Sequence, residues 1–108
     1  MSTSSTETLT RPDGSPVRVL VVDDEQMLAD LLASALRYEG WEITTAGTGI
    51  AAVRIAREIE PDVVVLDIML PDFDGLEVMR RIHGCRPFVP VLFLTAKDAV
   101  EDRVAELT

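Results

Sequence analysis

The sequence predicts an α/β fold, a doubly wound parallel sheet with helices on both faces. Three observations predict it. From Val17 onward, strand-like and helix-like segments alternate, which is the pattern of linked βα units. The strand-like segments are apolar at successive positions rather than at every second one; such strands are buried on both faces, as in a parallel sheet. Between them, apolar residues recur at three- and four-residue spacing, the period of a helix lying on a sheet. Right-handed crossovers then distribute the helices over the two faces.

The elements follow in order. Residues 1–16 (MSTSSTETLTRPDGSP) are rich in Ser, Thr and Pro with almost nothing to bury, and read as a disordered N-terminal tail. Residues 17–108 form one domain. Val17 to Val22 (VRVLVV) is a short β-branched run, hence a first strand. From Gln26 to Tyr38, Met27, Leu28, Leu31, Leu32, Ala35 and Leu36 have helical spacing, and Gly40 is a stop signal. Trp41 to Ala46 (WEITTA) is a second strand, opened by Trp41. Thr48 is the N-cap of a second helix lined by Ile50, Val53, Ile55, Ala56 and Ile59, and Pro61 ends it. Asp62 to Leu66 (DVVVL) is the most continuous apolar strand. Residues 68–74 (IMLPDFD) form a loop. Gly75 to Ile82 is a third helix with Asp74 as its cap and Leu76, Val78, Met79 and Ile82 on one side. Pro90 to Leu94 (PVLFL) is a fourth strand closed by Thr95. Val100, Val104 and Leu107 mark one face of a fourth helix, Asp98 to Leu107.

Charge and composition narrow the function. The net charge is −9 and 47% of the residues are hydrophobic. A real core is available, but phosphate contacts need clustered Lys and Arg, so direct nucleic-acid binding by this segment is not expected. An acidic balance suits a cation, or a partner with a basic face. The single cysteine, Cys85, cannot form an internal disulfide, and points to a reducing, cytoplasmic setting. No apolar run approaches the roughly 20 residues of a membrane span. The first residues have neither the basic nor the apolar region of a secretory signal.

The stretch LVVDDE, residues 20–25, runs from a buried strand straight into three acids. Two carboxylates at about 4 Å repel by roughly 4 kcal/mol at an effective dielectric near 20, so something positive is expected there. In open α/β sheets, sites form beyond the carboxyl ends of the strands, where strand order reverses. Asp23 and Asp24 follow the first strand, Asp67 the third and Thr95 the fourth. If the first and third strands are neighbours, three carboxylates share one shallow pocket. A hard dication with oxygen ligands resolves their repulsion. Mg²⁺ suits this donor set better than zinc, since no His or Cys is near.

Plainer readings stand beside these. Asp24 can be an N-cap with Glu25 favouring the helix dipole, and Asp67 a turn acid. Asp72, Asp74 and Gly75 (DFDG) invite comparison with the DxDG pattern of haloacid-dehalogenase-like phosphatases. Asp72 follows Pro71 rather than an apolar strand, so a turn and a helix start are the simpler reading. His83 precedes Gly84 at a helix end, where a cation suits the dipole, and Met residues are read as packing.

LVVDDE (20–25), VVVLDIMLPDFDG (63–75) and VLFLTAK (91–97), in this order and at this spacing, resemble the CheY-like receiver domain of two-component response regulators. The details are similar to the OmpR/PhoB-type branch, which carries a winged-helix DNA-binding domain after the receiver. The resemblance runs from about Val17 to the end of the chain. It implies a flavodoxin-like (βα)5 fold, here truncated to about (βα)4 with strand order 2-1-3-4. A fifth strand ending in a Lys-Pro pair, with a switch aromatic, and a fifth helix would lie beyond Thr108. Lys97 is not equated with that site lysine.

The resemblance also implies roles. Asp67 would be the phosphoacceptor, attacking a phosphohistidine of a sensor histidine kinase. Mg²⁺ would be held by Asp24, Asp67, the backbone carbonyl of Met69 and, through water, Asp23. Thr95 would hydrogen-bond a phosphoryl oxygen and act as the switch, with the small Ala96 keeping the pocket open. Such a domain catalyses its own aspartyl phosphorylation and dephosphorylation and is otherwise no metabolic enzyme. Two rivals are a small Mg²⁺-dependent phosphatase and a receiver-like interaction module that is never phosphorylated. An open fourth-strand edge would invite self-association or a domain-swapped dimer.

Overall fold

The computed structural model describes residues 9–94. Its elements are β1 (Arg18–Val22), α1 (Gln26–Tyr38), β2 (Glu42–Ala46), α2 (Gly49–Ile59), β3 (Val63–Asp67), α3 (Gly75–Cys85) and β4 (Val91–Leu94). All strand pairs are parallel, and the sheet order is β2-β1-β3-β4. This is the flavodoxin-like order expected, with the strand order reversing between β1 and β3. The expected fourth helix, Asp98 to Leu107, lies outside the described residues, as does Thr95.

Alternation along each strand makes two cores. Leu20, Val22, Ala46, Val64 and Leu66 face α2 and α3, and meet Ala52, Ala56, Val78 and Ile82. Val19, Val21, Ile43, Val63 and Val65 face the other way, toward Ala29, Ala33, Leu32 and Leu36 of α1. β1 and β3 are thus apolar at both parities because both their faces are covered. Trp41 lies just before β2 rather than in it, and packs on the α1 side.

Helix α1 departs from the expected stripe. Ala29 and Ala33 are its buried residues, while Met27 and Leu31 are 88% and 66% exposed. The small alanines let the helix lie close to β1 and β2, so the sheet accepts the 29/32/33/36 strip. Apolar spacing marked an arc wider than that strip and centred beside it. Leu76 on α3 and Ile50 on α2, also counted on apolar faces by their spacing, are exposed as well.

The chain before β1 also differs in part from a disordered tail. Residues 9–16 form a closed turn in which Arg11 N–H donates to Ser15 O, Gly14 N–H donates to Arg11 O, and Thr10 bridges Pro16. Asp62 at the foot of β3 ties this turn down. Its carboxylate pairs with Arg11 at 3.3 Å and accepts the backbone N–H of Arg18 at 2.9 Å. Tertiary partners, not local pattern, order these residues; residues 1–8 lie outside the described residues.

Candidate functional site

The register of β1 on β3 builds the site. Val22 pairs with Leu66, so the next residues, Asp23 and Asp67, leave adjacent strands side by side. Carboxylate oxygens of Asp23, Asp24 and Asp67 all lie within 4.8 Å of one another. Asp23 is 3% exposed, Asp67 is half-buried and Asp24 is exposed. The buried Asp23 is held at both ends. Its N–H donates to Ala46 O of β2 at 3.0 Å, and its Oδ1 accepts the Glu25 N–H at 2.9 Å.

The plainer reading of Asp24 fails here. Glu25 occupies the N-cap of α1, and α1 has no side-chain cap. Asp24 is therefore free to face the other acids. Burial raises the pKa of Asp67, the nearby charges of Asp23, Asp24 and Glu25 raise it further, and the Met69 N–H on its Oδ1 at 3.1 Å opposes them. Like charges and burial both disfavour the ionised carboxylate, and a cation placed among the three acids would offset that cost. Three oxygen donors with no His or Cys in the group match a hard cation.

The loop after Asp67 is closed on itself. Gly75 N–H donates to Ile68 O and Met69 bridges Asp74. Asp74 caps α3 as expected, its Oδ1 accepting the Glu77 N–H at 2.8 Å, and Thr48 caps α2 by accepting the Ala51 N–H at 3.1 Å. His83 lies within the last turn of α3 and donates to Val89 O at 2.8 Å, which accounts for it as a structural residue.

A model of the response regulator receiver domain family matches residues 19–108. The chain belongs to this family. It is similar to a probable transcriptional regulatory protein of Mycobacterium tuberculosis, TcrX, at 62% identity over 98 residues, covering 91% of this chain and 42% of that protein. It is also similar to the transcriptional regulatory protein TrcR of the same organism, at 54% identity over 98 residues, covering 91% and 38%. The chain thus spans less than half the length of the curated relatives it matches. Among solved structures it resembles a CheY-like response regulator receiver domain protein from Methanospirillum hungatei JF-1, with TM-score 0.75, 29% identity and coverage of 86% and 74%. The non-phosphorylated HemR receiver domain from Leptospira biflexa aligns with TM-score 0.71, 31% identity and coverage of 84% and 73%.

In this receiver domain the fold brings Asp23, Asp24 and Asp67 together, with Met69 beside them. Thr95 follows Leu94, which pairs with Asp67 across β3 and β4, but is itself outside the described residues. Sequence reasoning missed Asp72. Its place after Pro71 suggests only a turn, yet its carboxylate accepts the N–H groups of Gly49, Ile50 and Phe73, which lower its pKa. The Gly49 and Ile50 partners lie more than twenty residues upstream, so no local spacing announces them. No described helix is long and apolar enough to cross a membrane.

Proposed function

We propose that this receiver domain accepts a phosphoryl group on Asp67, with Mg²⁺ held by Asp24, Asp67 and the Met69 carbonyl, and by Asp23 through water. The observation that carries the proposal is the trio of carboxylates within 4.8 Å at the ends of two adjacent parallel strands. When bound, the cation supplies charge neutralisation for the carboxylates and the incoming phosphoryl group.

The chain's own residues do the rest. The Met69 N–H holds Oδ1 of Asp67, which leaves Oδ2 open to a donor. That oxygen forms a bond to phosphorus as the P–N bond of a phosphohistidine breaks, and the electron pair passes to the imidazole nitrogen. Phosphoryl transfer has a loose transition state, so positioning and charge neutralisation supply most of the catalysis. The half-exposed carboxylate sits on a shallow surface, which suits delivery from a protein side chain. An apolar cleft lined by Leu9, Val17, Trp41 and Val63 lies by the N-terminal ends of the strands, at the opposite end from Asp23, Asp24 and Asp67. Thr95 would sense the phosphoryl group and pass the change on, a charge event biasing a two-state surface.

The donor would be a sensor histidine kinase in the cytoplasm, and the output transcriptional control, in keeping with curated relatives named as transcriptional regulatory proteins. Among the described residues β4 pairs with β3 alone. Self-association of this chain through that edge would show as a dimer mass in light scattering. The central test is intact mass after incubation with acetyl phosphate. One added phosphoryl group is expected with Mg²⁺, and none without Mg²⁺ or in Asp67→Asn. Labelling that survives in Asp67→Asn would overturn the assignment.

A further inference from the structure

The N-terminus of α2 is fully satisfied, in an unusual way. The first turn of a helix has N–H groups without intrahelical partners. Ala51 N–H finds the Thr48 hydroxyl at 3.1 Å. Gly49 N–H and Ile50 N–H instead find the two oxygens of Asp72, at 2.8 and 2.9 Å. Asp72 belongs to the loop between β3 and α3, and its Oδ1 also accepts the N–H of Phe73 at 2.9 Å. One carboxylate therefore joins the helix to the tip of the loop that begins at Asp67.

The approach is close. A Cβ on Gly49 would lie 2.8 Å from Val78 Cγ2, 2.9 Å from Phe73 Cδ2 and 3.1 Å from Asp72 Oδ1. Only glycine lets the helix end come this near to the loop. Helix α2 is itself fixed to the sheet through Ala52, Val53 and Ala56, all buried. At its base the loop is closed by the Gly75 N–H on Ile68 O and by the Met69–Asp74 bridge. Met69 thus hangs between a closed base and a tip pinned to a rigid helix.

We infer that Asp72 is a positioning residue: by clamping the loop tip to the N-terminus of α2, it holds the Met69 backbone in the geometry that completes the cation site. The inference rests on the phosphoacceptor reading of Asp67. Outer-shell groups that orient a ligand typically change metal affinity when removed, by about tenfold or more. Thr48 offers an internal control, because its hydroxyl caps the same helix by bonding Ala51 N–H rather than a group of the loop.

The experiment is Mg²⁺ titration by calorimetry, with acetyl phosphate labelling rates, on the parent, Asp72→Ala, Asp72→Asn and Thr48→Ala. Asp72→Ala is expected to weaken Mg²⁺ binding about tenfold. It should slow labelling at subsaturating Mg²⁺ and recover when Mg²⁺ saturates. Asp72→Asn keeps one acceptor oxygen and should fall between Ala and the parent. Thr48→Ala should lower Tm and leave Mg²⁺ affinity unchanged. Parent-like Mg²⁺ affinity in Asp72→Ala would overturn the inference, and so would an equal loss in Thr48→Ala, since any damage to α2 would then suffice. A parent that neither binds Mg²⁺ nor labels would instead overturn the underlying phosphoacceptor reading.

Discussion

Gly75 lies directly against Asp67. A Cβ at position 75 would come within 2.9 Å of the Asp67 carbonyl oxygen, 2.8 Å of Ile68 Cα and 3.3 Å of the Phe93 ring. Two of these atoms are backbone and cannot swing away, so the start of α3 approaches the end of β3 only through a bare Cα. Gly75→Ala is expected to destabilise the fold by about 1–3 kcal/mol, the range for forced overpacking. Urea unfolding measures this. Because the displaced atoms belong to Asp67 and Ile68, labelling of Asp67 should fall in the same variant even well below its unfolding midpoint.

The proposed cation site would make stability depend on pH and Mg²⁺ together. Burial, then the charges of Asp23, Asp24 and Glu25, raise the Asp67 pKa above its ordinary 3.8. Between the unfolded and the native value the native state binds more protons, so stability falls as pH rises through that window. Asp67→Asn removes the penalty. Without Mg²⁺, the Asn variant should melt above the parent at neutral pH. The difference should vanish once pH drops below the unfolded aspartate value. Adding Mg²⁺ should raise the parent's Tm, by the equivalent of about 2.7 kcal/mol at a hundredfold excess over Kd, and raise the variant's much less. Chelation should reverse it. Thermal melts at several pH values, with Mg²⁺ or a chelator, read all of this. Equal Mg²⁺ shifts in parent and variant would place the cation elsewhere.

Glu60 terminates α2 in the left-handed region, at φ 50° and ψ 66°. The next residue is Pro61, which is buried. A left-handed conformation costs a side-chain-bearing residue about 1–2 kcal/mol, and helices prefer glycine at this place. Glu60→Gly is therefore expected to stabilise the fold by about 0.5–1 kcal/mol after the extra freedom of glycine in the unfolded chain is offset. A lower denaturation midpoint would show that Glu60 makes a compensating interaction.

Leu66 is fully buried, immediately before Asp67. It packs in the cluster shared with α2 and α3. Leu66→Ala should destabilise by about 2–5 kcal/mol, the transfer and cavity terms together. Val64→Ala, in the same strand and equally buried, removes about two carbons rather than three and should cost less. Equilibrium unfolding of both variants tests the order.

The elements up to Leu94 were legible because their signals are local. Runs such as VRVLVV and DVVVL are apolar at both parities, and the N-caps Thr48 and Asp74 reach only the first turns of their own helices. The acids were legible as well, since α/β topology places sites at strand ends and Asp23, Asp24 and Asp67 stand there. Spacing could not tell which arc of α1 meets the sheet. It marked Met27 and Leu31, whereas the structure buries Ala29 and Ala33, because the choice depends on how closely the helix can approach β1 and β2.

By itself, then, the sequence determined the order of strands and helices, both faces of the sheet and the identity of the clustered acids. Each of these depends on residues within a few positions of one another, or on a rule of connection that every such sheet obeys. Only the tertiary structure decided that residues 9–16 fold back onto Asp62 and that Asp72 reaches the first turn of α2. Arg11 and Asp62 are an ion pair across the whole of β1, α1, β2 and α2, and the Gly49–Asp72 bond spans 23 residues. Such contacts exist only once the sheet has brought distant loops together, and no period or composition in the chain encodes them.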